Sequence, residues 1–278
     1  MAYLTKDDGT RIWFEDTGVR DGPVIVFAHE FGGDPRSWND QVAFFSESHR
    51  CIRYAARGFA PSDIPADKAF YGQDCSTRDL EQLADHLKLE RFHLAGCSMG
   101  SFTSLMFACR HPRRLVSLTL TGISSGPDTP EEHEAYRAYI TGEIAMISDD
   151  LADGTARWFT QDPANATFIA KHPQRWAAYL ERAVYQPHHG ALLTVSTLHR
   201  DRISLRSVEE QIAAIEASVL LIWGDADLPG VHQASTWLAE TLPHGWACVV
   251  EGAGHLVQVE EPERFNVELG QLLKETNR

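Results

Sequence analysis

Residues 94–101 read LAGCSMGS, with Ser98 between Gly96 and Gly100, which matches the pattern G-x-S-x-G. The run RFHLAG (91–96), typical of a buried strand, precedes the turn. The apolar, helix-compatible run SFTSLMFACR (101–110) follows it. A strand, a sharp turn and a helix form the setting in which this motif projects a serine hydroxyl above a sheet. The stretch therefore predicts a nucleophilic Ser98 in an α/β protein.

Before residue 124 and after residue 215, the chain alternates between segments with strand patterns and segments with helix patterns. Ser76 followed by Asp79 predicts the start of a helix capped by the serine. Two N-terminal strands are expected on either side of the turn at Asp8 and Gly9. Further apolar runs, typical of strands buried on both faces, lie at 23–28, 51–56, 115–122, 217–224 and 246–252. The alternation predicts βαβ units, hence an α/β fold with a mostly parallel, doubly wound sheet.

The strand signal disappears between residues 124 and 215, where helical patterns, aromatic residues and prolines dominate. We therefore predict a core formed by residues 1–123 and 216–278, with a helical cap inserted at 124–215. The aromatic residues favour a pocket for a largely apolar small molecule. The arginines of this segment, Arg202 among them, are interpreted individually as solvated surface residues, with the alternative that one of them meets a carboxylate of the substrate.

Partners for the serine are expected late in the chain. A serine hydroxyl near neutral pH needs a base to accept its proton, and the base needs a carboxylate that fixes its tautomer. Asp225 and Asp227 directly follow the strand pattern at 217–224. His255 follows the strand pattern at 246–252. From the residues alone, both aspartates are candidates for the acid.

These motifs, in this order, resemble those of the α/β-hydrolase superfamily over nearly the whole chain. The matching stretches are HEFGG (29–33), RGFAPSD (57–63), GCSMG (96–100), GDAD (224–227) and GAGH (252–255). The resemblance implies a catalytic triad of Ser98, Asp227 and His255, and so favours Asp227 over Asp225. It also implies an oxyanion hole formed by the backbone N–H groups of Met99 and Phe31.

The resemblance implies cleavage of a carboxylic ester or lactone through an acyl-enzyme, with no metal and no organic cofactor. A histidine base with an ordinary pKa predicts that activity rises at about pH 6–7. Three alternatives remain open at this point. They are hydrolysis of a C–C bond in a diketone-like ring-cleavage product, cofactor-free oxygenation, and a non-enzymatic small-molecule receptor.

Two positions depart from the family pattern. Glu30 stands in HEFGG where relatives usually have glycine, and Ala55 stands where an aspartate is usual. Because one carboxylate is lost and another gained, we expect Glu30 to form an ion pair with Arg57. The alternative is that Glu30 reaches the active site as an additional acid or base. His29 is expected to form a hydrogen bond within its own loop.

Composition narrows the partners and the compartment. The formal net charge of −14 opposes binding to nucleic acid. No apolar run reaches the ~20 residues needed to span a membrane, and the N-terminal region lacks the apolar stretch of a secretory signal. The 5 cysteines are scattered without a CxxC, as expected of free thiols in the cytoplasm. We expect a cytoplasmic protein acting on a small molecule, and both a monomer and a homodimer remain possible.

Overall fold

The predicted strands form one sheet in the computed structural model, which describes residues 1–149 and 151–276. The strands are β1 (Ala2–Thr5), β2 (Arg11–Gly18), β3 (Val24–Ala28), β4 (Arg50–Tyr54), β5 (Phe92–Cys97), β6 (Leu115–Thr121), β7 (Ser218–Gly224) and β8 (Gly245–Val250). Their order across the sheet is β1-β2-β4-β3-β5-β6-β7-β8. The β1–β2 and β2–β4 pairs are antiparallel, and the pairs from β4 to β8 are parallel. The predicted α/β fold with a mostly parallel sheet is confirmed.

Helices surround the sheet. In chain order they are α1 (Asn39–Phe45), α2 (Gln73–His86), α3 (Met99–Arg110), α4 (Pro130–Asp149), α5 (Leu151–Gln161), α6 (Ala166–Lys171), α7 (Pro173–Val184), α8 (His188–Thr194), α9 (Glu209–Ala213), α10 (Pro229–Thr241), α11 (Val257–Glu260) and α12 (Pro262–Thr276). A π-helical turn, Val195–His199, continues α8. Helix α2 begins after Gly72, whose φ of 132° suits glycine. Ser76 therefore lies inside this helix, and the prediction that it caps the N-terminus was wrong.

Neighbouring residues of the central strands face opposite sides of the sheet, which explains their continuous apolar character. Val26 and Leu94 point into a cluster with residues of α2, α3 and α10. Phe27 and Ala95 point into a second cluster with residues of α1 and α12. Each fully buried large apolar side chain contributes about 1.5–3 kcal/mol to folding, so both faces of the sheet stabilise it.

The parallel register brings the carboxyl ends of the central strands to one edge. Ala28 pairs with Gly96, and Cys97 pairs with Thr121. Gly224 pairs with Val250 at the ends of β7 and β8. Side chains and loops that follow these strands therefore meet at the same edge, which is where ligands bind in open α/β sheets.

Helices α4 to α9 connect β6 to β7. Residues from α4 and from the π-helical turn pack with Phe31 and Met99, at the carboxyl edge of the sheet. Leu205 and Ile212, near the end of this connection, join the cluster beneath α3 instead. The boundaries predicted for a cap, 124–215, stay a prediction. In the described part of the chain, no helix is both long and apolar enough to cross a membrane.

Candidate active site

Ser98 occupies a strained turn between β5 and α3. Its φ of 51° lies in the left-handed region, which costs a non-glycine residue about 1–3 kcal/mol. The flanking glycines allow the turn. A Cβ on Gly96 would lie 2.5 Å from the carbonyl oxygen of Gly100. One on Gly100 would lie 2.2 Å from that of Ala28. The strand–turn–helix geometry predicted for Ser98 is therefore present, and Ser98 lines a cavity at the carboxyl edge of the sheet.

His255 lines the same cavity and contacts Asp227. Its Nδ1 lies 2.9 Å from Asp227 Oδ1 and 3.1 Å from Oδ2. The Asp227 side chain is fully buried, and its Oδ1 also accepts a hydrogen bond of 2.7 Å from the backbone N–H of Leu228. Asp225 instead accepts from the backbone N–H of Gly252 at 2.7 Å. Of the two aspartates, the structure brings Asp227 to the histidine.

The loop that carries His255 is held by Glu260, a residue that sequence reasoning missed. This buried carboxylate accepts hydrogen bonds from the backbone N–H groups of Gly254 at 2.7 Å and Leu256 at 2.9 Å. It therefore bridges the two residues on either side of His255. Burial raises the pKa of Glu260, and the two N–H donors lower it. The available signal was a glutamate five residues after the histidine, in the stretch HLVQVEEP (255–262).

The pKa of His255 is raised above that of an ordinary histidine. Burial lowers it, but the negative charge of Asp227 and its hydrogen bond raise it, and the charges of Asp162 and Glu260 raise it further. The resulting pKa is about 9. The predicted rise of activity at about pH 6–7 assumed an unperturbed imidazole; the raised pKa of His255 shifts the expected rise to higher pH.

Of the two predicted oxyanion donors, Met99 directly follows Ser98 in the chain and Phe31 lines the same cavity. Met99 is the first residue of α3, so its N–H has no intrahelical partner by position. Phe31 lines the cavity, and its ring lies 5.3 Å from that of Trp158. His29 Nδ1 lies 2.7 Å from the carbonyl oxygen of Glu30, and its Nε2 accepts from the N–H of Ala56 at 2.9 Å. This pair of hydrogen bonds requires the neutral Nδ1–H tautomer and ties the Phe31 loop to the loop after β4.

Arg57 does not pair with Glu30, so that prediction was wrong. Its guanidinium donates to Asp79 at 2.5 and 2.6 Å and to Asp8 at 2.9 Å. Lys6 also pairs with Asp79. Asp79 of α2 thus supplies the buried carboxylate that Ala55 cannot, and the guanidinium faces α2 and the β1–β2 turn rather than the cavity.

Glu30 faces the cavity instead. It is 2% exposed, and its Oε1 accepts hydrogen bonds from Ser37 Oγ at 2.6 Å and Tyr179 Oη at 3.0 Å. Oε2 is buried and has no hydrogen-bond partner among the described residues. Burial, and then the charge of Glu30, raise the pKa values of Tyr179 and of Cys97. Glu30 therefore lies on the cavity wall, and the alternative that it acts there as an additional acid or base stays a prediction.

The cavity has a volume of about 290 Å³ and lies between the carboxyl edge of the sheet and residues of α4, α5, α7 and the π-helical turn. Part of its wall is aromatic, as expected: Tyr136, Tyr139, Trp158, Phe159 and Tyr179. Charged and titratable residues also line it: Glu30, Glu143, Asp162, His199, Arg202 and His255. The interpretation of Arg202 as a solvated surface residue was wrong. Among the described residues, no group of three or more His, Cys, Asp or Glu side chains is placed to hold a metal ion.

Comparison with known proteins agrees with this architecture. Residues 23–262 match the family model described as the alpha/beta hydrolase fold. A curated relative, 3-oxoadipate enol-lactonase 1 of Acinetobacter baylyi, is 24% identical, with 94% of this chain and 92% of that protein covered.

Two solved structures show the same fold. The enol-lactonase of Burkholderia xenovorans has a TM-score of 0.83 at 23% identity, covering 98% of this chain and 100% of that chain. A thermophilic esterase of Thermogutta terrifontis has a TM-score of 0.84 at 23% identity, covering 100% of this chain and 99% of that chain. Because the family model spans most of its length, the chain belongs to the α/β-hydrolase fold family.

Proposed function

We propose that the protein is a cofactor-independent serine hydrolase that cleaves a carboxylic ester or lactone through an acyl-enzyme. The observation that carries this proposal is the His255–Asp227 pair, which opens onto the same cavity as the strained Ser98 turn. Nucleophile, base and orienting acid follow one another in the chain order that this fold uses. Hydrolysis of a C–C bond would use the same three residues, but the enol-lactonases and esterases among the similar proteins favour an ester or lactone.

The reaction then proceeds in two halves. Ser98 Oγ attacks the acyl carbonyl carbon while Nε2 of His255 accepts the hydroxyl proton. Asp227 accepts from Nδ1–H and so leaves Nε2 free as the acceptor. The N–H groups of Met99 and Phe31 stabilise the oxyanion of the tetrahedral intermediate, a contribution of typically ~10²–10³ in kcat per donor. His255 returns the proton to the leaving alcohol. Water then attacks the acyl-enzyme through the same base and releases the acid and Ser98.

The substrate class follows from the relatives and the cavity. Enol-lactonases and esterases occur among the similar proteins, which supports an ester or lactone of a small molecule. We assign the helices within 124–215 the role of a cap, because α4 and the π-helical turn pack over the Phe31 loop. The aromatic part of the wall suits an apolar portion of the substrate. We place the protein in the cytoplasm, since its 5 cysteines are free thiols.

The test combines turnover with covalent trapping. Wild type and Ser98→Ala are assayed on p-nitrophenyl esters and simple lactones, with Ser148→Ala as the matched control, because Ser148 is exposed on α4. Each protein is also treated with a fluorophosphonate and analysed by peptide mass spectrometry. We expect turnover and labelling in wild type and the control, and neither in Ser98→Ala. Labelling at another serine, or hydrolysis that survives Ser98→Ala, would overturn the proposal.

A further inference from the structure

Three polar side chains from the predicted cap line the same cavity as Ser98 but play no part in the proposed chemistry. They are Glu143 of α4, His199 of the π-helical turn and Arg202. Glu143 is 5% exposed and His199 is 9% exposed. In the described part of the chain, Glu143 Oε2, His199 Nε2 and Arg202 Nε are buried without a hydrogen-bond partner. Buried polar atoms are nearly always satisfied, so three such atoms from the predicted cap, in addition to Glu30 Oε2, point to a ligand group in this cavity.

Two of the three residues, His199 and Arg202, are held by neighbouring groups. Tyr136 Oη donates to the carbonyl oxygen of His199 at 2.7 Å, and the His199 ring packs 4.7 Å from that of Phe31. Arg202 Nη1 donates to Ser124 Oγ at 2.7 Å, and its guanidinium lies 5.1 Å from the Phe102 ring centroid. The π-helical turn that presents His199 is a rare conformation that occurs frequently at functional sites. Such a constellation is preorganised to bind.

The charges of the group favour a neutral ligand. Glu143 carries one negative charge and Arg202 one positive charge, and burial lowers the pKa of His199, which keeps its ring uncharged near neutral pH. His199 Nδ1 lies 3.9 Å from Glu143 Oε2. The sum is close to zero, while Glu30 and Asp162 elsewhere on the cavity wall add negative charge. The negative charges on the cavity wall would repel a carboxylate group of the substrate. A neutral group that both donates and accepts hydrogen bonds would satisfy both Glu143 and Arg202.

We propose that Glu143, His199 and Arg202 form a subsite for a hydroxyl group of the substrate, remote from the carbonyl that Ser98 attacks. The hydroxyl donates a hydrogen bond to Glu143 Oε2, and its oxygen accepts from the N–H of Arg202 Nε. The second lone pair of that oxygen can accept from an N–H at His199 Nε2. The inference rests on the proposed function, because it names the class of ester or lactone: one that carries an alcohol or phenol at its far end.

The test uses p-nitrophenyl esters of straight-chain acids that end in a hydroxyl, a methyl or a carboxylate group, in matched chain lengths. For wild type we expect kcat/KM for the hydroxyl ester to exceed that for the methyl ester by about tenfold or more at one chain length, as for a hydrogen bond to a charged group. The carboxylate ester is expected to be poorest. Glu143→Leu should remove the preference and Glu143→Gln should reduce it, whereas Glu134→Leu on the exposed face of α4 should keep it. A preference unchanged in Glu143→Leu, or a wild-type preference for methyl or carboxylate, overturns the proposal.

A second measurement separates this proposal from the proposed function. N-methyl amides of the same acids are titrated calorimetrically into Ser98→Ala and into the double variant that also carries Glu143→Leu. Tighter binding of the hydroxyl amide that depends on Glu143 supports the subsite even if no ester is turned over. In that case only the proposed hydrolase function is rejected. Serine-dependent turnover with no hydroxyl preference in either assay leaves the hydrolase intact and rejects the subsite. Circular dichroism of each variant identifies any that fails to fold, and Glu143→Gln then takes its place.

Discussion

The Asp227→Asn substitution is expected to change the pH dependence of activity as well as its level. In the structure the pKa of His255 is raised from 6.5 to about 9, which corresponds to roughly 3 kcal/mol in favour of its protonated form. Burial acts in the opposite direction, and the charge of Asp227 and its hydrogen bond are the largest contributions that raise the pKa. Removing this charge should therefore bring the pKa of His255 down to the ordinary histidine range or below.

Wild-type kcat/KM should accordingly rise up to about pH 9, because this quantity titrates the base of the free enzyme. In Asp227→Asn the rising limb should move to about pH 6.5 or lower, and the plateau should fall by about 10⁴, since the amide stabilises the wrong tautomer of the imidazole. The assay is kcat/KM for a neutral ester between about pH 5 and 10, a range that brackets both values.

Asp225→Asn is the matched control, because Asp225 bonds the backbone of Gly252 and not the imidazole. The rising limb of kcat/KM against pH in Asp225→Asn should coincide with that of wild type. A limb that stays near its wild-type position in Asp227→Asn, or that moves in Asp225→Asn, would refute the assignment of the raised pKa to Asp227.

The same pair affects stability in a defined direction. Because the folded pKa of His255 lies above the unfolded value of 6.5, protonation stabilises the fold below pH 6.5, and this contribution is lost as the pH rises through about 9. This contribution is on the order of 3 kcal/mol or less. The free energy of unfolding is measured with urea at several pH values in wild type and in Asp227→Asn. The other titrating groups are the same in both proteins, so the additional loss of stability toward pH 9 should appear in wild type and be small in the variant.

Three further substitutions test the surroundings of the site. Asp79→Asn leaves the buried Arg57 guanidinium without its main partner, so urea unfolding should show a loss of about 3–5 kcal/mol; an unchanged free energy of unfolding would contradict that role. Tyr179→Phe removes one donor to Glu30 and should cost about 1.5–3 kcal/mol in the same assay. Glu260→Gln, which can accept from only one of its two N–H donors, should lower kcat by about 10–100-fold with little change in KM; steady-state kinetics that show the wild-type kcat would argue against a positioning role.

Most of the sheet could be predicted because its signal is local. A continuous apolar run such as Val24–Ala28 specifies a strand buried on both faces, whatever its neighbours are. Ion pairs between distant elements carry no such signal. The sequence pattern placed Asp79 in the first turn of a predicted helix. In the structure it pairs with Arg57 and Lys6, which lie 22 and 73 residues away. The partner of Arg57 was mistaken for the same reason, because the choice between two carboxylates depends on which helix packs against the loop.

Local sequence signals predict the class of reaction, whereas the identity of the substrate depends on long-range packing. Around Ser98 the motif constrains the backbone, since a Cβ at Gly96 or Gly100 would overlap a carbonyl group, so the residue types themselves indicate the turn. Glu143 and His199 lie 56 residues apart, and only the packing of α4 against the π-helical turn brings them to one wall of the cavity. A reaction class can be inferred from a short, sterically constrained motif. The group that the substrate presents to the far wall depends on how the connecting helices pack, which no local pattern in residues 124–215 records.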